Sequence, residues 1–418
     1  MNTATDNPYR WTIAVVAVSI YFFTNGMAIF VPQNLFPRLM EDFSVTAGVI
    51  SRSAGITLLF GALLAPAAGA LIDRFGVIRI IRVGLAVMLV CFAAYPFAQS
   101  IQQLYVIHAG LAIGLVCSGL MPNVVLITAW FQKGRGSMIG ILAAGSSLAG
   151  ALLPLAISPL VLNPNYGWRW GMGALAIAFF LLAFIPGFLL LRPVSREAST
   201  AIDTAPVDGV TLHAALRSIT LWALALGSAC LWFSIQSMNS QITIFFEQEA
   251  ALSPQRATLL FSLIFWCSFF GKFLFGAVSD FIAKRHVMKI ASVILLIGCL
   301  LLFNYTNGEL SLTTDGRRLT LFAAVFGLGF GGCFTMIQLV AVESFGQRSL
   351  GKILGVIVFV DSLGAALGTV LIGQLRTSTG DYVVPFLIVT AVAALAIVSV
   401  TMIKPLTSSK DLSESAPR

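Results

Sequence analysis

Ser262–Asp280 reads SLIFWCSFFGKFLFGAVSD, an apolar run with a single lysine, Lys272, near its middle. A helix rises about 1.5 Å per residue and the hydrocarbon core of a bilayer is about 30 Å thick, so the run is long enough to cross one. Lys272 stands eight residues before Asp280, which opens the charged turn DFIAKR. That places the lysine on the order of 12 Å inside the membrane, close to the midplane. An unpaired ammonium there costs roughly 2.5–3.5 kcal/mol on insertion scales, so intramembrane charges are paired, face a cavity and mark function. The rest of the chain has to supply the cavity and the partner.

Composition sets the class. The 418 residues are 58% hydrophobic and 10% charged, where a soluble domain carries about 25% charged residues. This is a polytopic membrane protein embedded in a lipid bilayer. The net charge of +8 does not signal nucleic acid, because that requires basic residues clustered on a soluble face, and here they sit in short loops between apolar runs. Cys91, Cys117, Cys230, Cys267, Cys299 and Cys333 all fall inside expected helices without metal-ligand spacing, so neither a disulfide nor a metal is expected. No nucleophile with a base and no phosphate loop is visible, which argues against an enzyme. The N-terminal MNTATDNPYR is too weakly basic for a signal peptide, so the first apolar run is expected to remain as a span.

Hydrophobic runs give twelve spans, at 11–33, 46–72, 80–98, 102–130, 136–161, 169–191, 218–246, 255–279, 287–305, 317–342, 350–375 and 382–403. An even number puts both termini on one side. The loops on that side hold Arg10, Arg74, Arg79, Arg82, Lys133, Arg135, Arg192, Arg196, Arg217, Lys284, Arg285, Lys289, Arg348, Lys352, Lys404, Lys410 and Arg418, which is 17 of the 25 lysines and arginines. The other side holds seven: Arg38, Arg52, Arg169, Arg256, Arg317, Arg318 and Arg376. Both termini are therefore expected in the cytoplasm, the protein lying in the cell's inner (plasma) membrane. Only Lys272 is left within the hydrocarbon.

The expected organisation is a six-helix bundle over 1–191, a linker over 192–212, a second six-helix bundle over 213–405 and a cytoplasmic tail over 406–418. The linker contains RPVSREASTAIDTAPVDGVTL, polar and without a sustained apolar face. An internal repeat supports this division. Gly69-Ala70-Leu71-Ile72-Asp73 follows span two and Gly276-Ala277-Val278-Ser279-Asp280 follows span eight, at an offset of 207.

At these residues the chain resembles the major facilitator superfamily, whose loop between spans two and three carries G-x-L-x-D-R-x-G-x-R/K; here Gly69 to Arg79 stand in that pattern. The resemblance implies an all-α membrane fold of twelve helices in two pseudo-symmetric bundles, with Asp73, Arg74, Arg79 and Asp280 as gating residues. Within the superfamily the chain is similar to the monocarboxylate transporters, including their prokaryotic oxalate/formate branch. Asn25-Gly26-Met27-Ala28-Ile29-Phe30 and Leu35 to Ser44 around span one carry that likeness, and so does Thr128 to Ile141 entering span five. The resemblance makes a basic residue in span eight the carboxylate-binding group. In many animal members an acid precedes it by one turn; here the base is Lys272 and the preceding position is Ser268. The second lysine of the animal members falls near Phe30 and is absent. Lysine is also a compact donor, whereas the family's usual arginine is a fixed planar fork.

Of seventeen Asp and Glu residues, sixteen lie in loops, tails or helix ends. Asp361, in GVIVFVDSLGAALGTV, is the exception, on the order of 13 Å along span eleven from Lys352. Lys272 and Asp361 lie at similar depth, and each would be an isolated intramembrane charge without the other. The plain alternative is a static ion pair tying two spans together. The functional reading is that a substrate carboxylate competes with Asp361 for Lys272 while a proton neutralises the displaced acid. Asn25, Asn123, Ser146 with Ser147, Ser268, Cys333, Phe334 and Ser362 are further candidates for substrate contact; a bond to the helix's own backbone is the competing reading for each polar one. Gln236, Asn239 and Gln241 are candidates for an outer gate, and His108 reads as a hydrogen-bonded histidine near the outer surface. The expected activity is proton-coupled symport of a small monocarboxylate of the lactate/pyruvate class by a functional monomer, with the proton as coupling ion and no cofactor. The alternative is proton-independent exchange of organic anions.

Overall fold

The computed structural model describes residues 8–131, 134–193, 209–306, 308–346 and 348–403. Most of the expected linker, 194–208, and the tail, 406–418, lie outside these residues, as does Lys133. The chain forms two compact units. The first comprises 1–205 with 252–265, and the second 206–251 with 266–418.

The first unit holds α1 (Tyr9–Phe43), α2 (Ala47–Phe75), α3 (Val77–Phe97), α4 (Ile101–Trp130), α5 (Arg135–Val161) and α6 (Gly167–Leu189). α1 continues ten residues past the expected end at 33. A π turn at Gly26–Phe30 lets Val31 N–H donate to Gly26 O, so the helix is re-registered just ahead of Pro32 and runs through VPQN without stopping. α4 is interrupted between Ser118 and Leu120. Gly26 sits so close to α5 that a Cβ there would be 2.6 Å from Ala149 Cβ.

The second unit holds α7 (Ile219–Gln248), the later part of α8 (Pro254–Val278), α9 (Lys284–Leu300), α10 (Gly316–Phe345), α11 (Leu350–Thr379) and α12 (Val383–Thr401). A short helix, Leu212–Leu216, precedes α7. Ser218 caps α7 by accepting from Leu221 N–H at 3.2 Å, and Asp315 caps α10 by accepting from Arg317 and Arg318 N–H. Small residues bring helices together, as expected where van der Waals packing and not hydrophobicity drives association in lipid. A Cβ at Gly331 would be 2.1 Å from Ser268 O, and one at Gly364 would be 2.4 Å from Ala229 O. α8 therefore lies backbone to backbone with α10, and α7 with α11.

Among the described residues eleven helices are long and apolar enough to cross a membrane. α9 is the exception at 17 residues, about 25 Å of helix. The span expected at 287–305 ends at Leu300, because Phe303–Thr306 is a strand pairing antiparallel with Glu309–Leu312. Aromatic and β-branched residues ahead of an Asn-Gly step favour a hairpin over a last helical turn, and Gly308 takes φ +88°. Arg318 of α10 donates to Asn304 Oδ1 and Phe303 O, fixing the hairpin to the helix start.

Candidate functional site

The second unit brings four of the candidate site residues into contact, Lys272 with Phe334 and Asp361 with Ser362. Lys272 and Asp361 are 6% and 7% exposed, against the ordinary rule that such residues stay at the surface. Gly271 and Gly331 make the contact between α8 and α10 that places Lys272 beside Phe334. A Cβ at Gly271 would be 2.6 Å from Leu328 O, and Thr335 Oγ1 donates to Lys272 O at 3.4 Å. The Lys272 ammonium stands 4.1 Å from the centroid of the Phe334 ring. Trp232 of α7 meets that ring edge to face, with centroids 5.9 Å apart, so the ring that receives the cation is itself held.

Asp361 is held from α7 and from its own helix. Ser228 Oγ donates to Asp361 Oδ2 at 3.1 Å and Ser362 Oγ donates to Oδ1 at 3.4 Å. Ser228 and Trp232 are one turn apart, on one face of α7. One face of one helix thus carries the partner of the acid and the partner of the cation's aromatic ring. The Lys272–Asp361 ion pair expected from their matched depth is not among the ion pairs of the described residues, and the carboxylate is bonded there by the two hydroxyls. Depth along a helix does not fix rotation about it, and the glycine contacts turn Lys272 towards Phe334. Chemically, a ring face attracts the ammonium without neutralising it, while charge-assisted bonds to a carboxylate are shorter and stronger than neutral ones. An organic anion arriving at Lys272 would offer it such bonds in addition to the ring contact.

The remaining candidates lie elsewhere or serve the helices. Ser268 is fully buried one turn before Lys272, its carbonyl facing Gly331. Cys333 lies towards α9, its Sγ 3.9 Å from Ser292 Oγ. In the first unit, Asn123 Nδ2 donates to Ser118 O and Gly119 O at 2.8 and 2.7 Å, which satisfies the carbonyls freed where α4 breaks; Ser146 donates to Ala143 O. Asn25 Oδ1 is buried without a hydrogen-bond partner among the described residues. Phe30 meets Phe265 at a tilted angle with ring centroids 4.4 Å apart, an apolar contact. His108 is fully buried and hydrogen-bonded, to Thr57 Oγ1 at 2.8 Å and Tyr95 Oη at 3.2 Å. Asp73, Arg74, Arg79 and Asp280 are all exposed at helix ends, and Arg74 stands 5.2 Å from the Phe75 ring. Ser228 and Trp232 were absent from the sequence-derived site; the available signal was a serine and a tryptophan four apart in an apolar span.

The profile of the Major Facilitator Superfamily matches residues 18–253 and 224–417. The chain is 25% identical over 413 residues to human monocarboxylate transporter 10, covering 91% of this chain and 75% of that protein. It is 23% identical over 359 residues to the agnestins efflux protein of Paecilomyces divaricatus, covering 86% and 78%. In fold it matches the crystal structure of a bacterial homolog to the human lysosomal transporter Spinster, with a TM-score of 0.71 at 17% identity over 95% of each chain. With the profile spanning nearly its whole length, the chain is a multi-pass membrane transporter and belongs to the major facilitator superfamily.

Proposed function

We propose that the protein carries a small monocarboxylate, of the lactate/pyruvate class, across the cell's inner (plasma) membrane with a proton, by alternating access and with both termini in the cytoplasm. The observation that carries this reading is the buried Lys272 ammonium on the Phe334 ring, with the buried Asp361 held by Ser228, one turn of α7 from the Trp232 that packs on that ring. Lys272 binds the substrate carboxylate, and the ring packs on its alkyl part. Asp361 takes up the proton, with Ser228 and Ser362 holding its oxygens in place. One anion and one proton make the cycle electroneutral. A dianion would call for two cations, and this cluster supplies one cation and an acid. The likeness to a monocarboxylate transporter supports the substrate class.

A second reading, proton-independent exchange of organic anions, is favoured by one observation: Asp361 is satisfied by two hydroxyls without Lys272. Radiolabelled L-lactate uptake into proteoliposomes, with and without an inward proton gradient, separates the two. Symport predicts gradient-driven accumulation in wild type, its loss in Asp361→Asn with some exchange retained, no concentrative uptake in Lys272→Ala, and partial uptake in Lys272→Arg. Equal uptake by wild type and Lys272→Ala sinks the site; exchange indifferent to the gradient in wild type and Asp361→Asn leaves the exchanger.

A further inference from the structure

The face of α7 that carries Ser228 and Trp232 does not stop there. Gln236, Asn239 and Thr243 follow at steps of four, three and four residues, which keeps them on the same side of the helix. Asn239 lies about 10 Å and Thr243 about 16 Å beyond Trp232 along the axis. The three are 1%, 0% and 0% exposed. Asn239 Nδ2 reaches Gln236 Oε1 at 3.5 Å, but Asn239 Oδ1 and Thr243 Oγ1 have no hydrogen-bond partner among the described residues.

Neither orphan is an ordinary helical side chain. Thr57, Thr320, Thr335, Thr369 and Thr390 each bond the carbonyl four residues back, the inexpensive solution for a threonine in lipid. Thr243 does not take it. Ser237, also unsatisfied, has a separate explanation: its Oγ fills the contact with α11, where a Cβ on Gly368 would be 2.5 Å away. Neither Asn239 nor Thr243 fills such a contact with a glycine among the described residues. In the first unit, Gln33 of α1 is likewise fully buried with both amide ends unmet among the described residues. Buried unmet polar groups weigh against the conformation that holds them and in favour of one in which they meet water or a polar solute.

We propose that Asn239 and Thr243 form a polar station on α7 that a small organic anion, with its hydration water, meets on the way to Lys272 in a conformation other than this one. Their burial without partners biases the protein away from the present conformation. The proposal rests on Lys272 as the binding site but not on which anion it takes.

Two measurements test it. Thr243→Cys in proteoliposomes is treated with methanethiosulfonate ethylsulfonate, a membrane-impermeant reagent that is itself a small organic anion. Labelling several-fold faster than that of the wild type, with its six native cysteines, is expected; labelling no faster overturns the station. Asn239→Leu and Thr243→Val remove the unmet groups at similar size. They are expected to raise the melting temperature in detergent by about 2 °C or more and to slow uptake several-fold; a lowered or unchanged melting temperature assigns both residues to ordinary packing and overturns the bias. Labelling and raised melting temperatures without any lactate transport would instead remove the monocarboxylate reading and leave the station standing.

Discussion

At the residue scale the two charges were conspicuous in the sequence, because a lysine and an aspartate inside apolar runs have few cheap explanations. Their partners were not. Which way Lys272 points depends on the rotation of α8, and that rotation is set by backbone contact at Gly271 and Gly331, a tertiary property. Ser228 looked like any small residue of an apolar span until the structure put its hydroxyl 3.1 Å from Asp361. Phe334, a candidate for substrate contact from the sequence, also holds the cation. A buried cation–π contact is worth about 0.5–2 kcal/mol. Phe334→Leu keeps an apolar surface and removes the quadrupole, so KM for lactate is expected to change about 2- to 30-fold with the protein still folded. Initial-rate uptake across a concentration series reads this directly, and an unchanged KM would mean the ring is only packing.

At the element scale the helices were legible and their ends were not. Apolar runs of 20 residues or more announce spans, but the π turn in α1 and the hairpin after α9 depend on local hydrogen bonds that hydropathy does not register. The close contacts between helices are equally invisible to hydropathy. Gly331→Ala would put a Cβ 2.1 Å from Ser268 O, and overpacking of this kind costs about 1–3 kcal/mol. The substitution is expected to lower the melting temperature and to impair uptake, since it separates α10 from α8 at the Lys272–Phe334 contact. Gly355→Ala is the control, because nothing lies within 4 Å of the added methyl and it should be neutral.

The far end of the second unit carries a pH-dependent tie. Arg376 of α11 pairs with Glu249, just past α7, at 3.1 Å, and Tyr382 N–H donates to the other carboxylate oxygen at 3.3 Å. Burial pushes the Glu249 carboxyl above its ordinary 4.5, outweighing the lowering by Arg376 and by that N–H, while Asp381 adds to the rise. A carboxyl raised in the fold binds its proton more tightly there than in the unfolded chain. Its contribution is therefore full below about 4.5 and is lost as pH rises through the raised value. Relative to Glu249→Gln, the wild type's melting temperature should fall as pH is raised through the mildly acidic range; a constant difference would mean the arginine fully compensates the burial.

At the scale of the whole molecule, two G-A-x-x-D segments stand at an offset of 207, and Leu252–Phe265, the opening of α8, groups with the first unit. Topology turns on α9. Its 17 residues give about 25 Å of helix, at the short edge of what crosses a core of about 30 Å. Lys284, Arg285 and Lys289 stand at its start, and Arg317 and Arg318 follow the hairpin at its other end. If α9 crosses, the basic loops divide 17 to seven and both termini face the cytoplasm. If it does not, every later loop changes side and the C-terminus faces outward, with Lys352, Lys404 and Lys410 on the side the positive-inside rule disfavours. The charge distribution therefore favours a ninth crossing despite its length, with snorkelling lysines or local thinning of the bilayer making up the difference. Protease-cleavable tags at each terminus, assayed in intact cells and in inverted vesicles, decide it: protection of both tags in cells is expected, and cleavage of the C-terminal tag alone would make this an eleven-span chain.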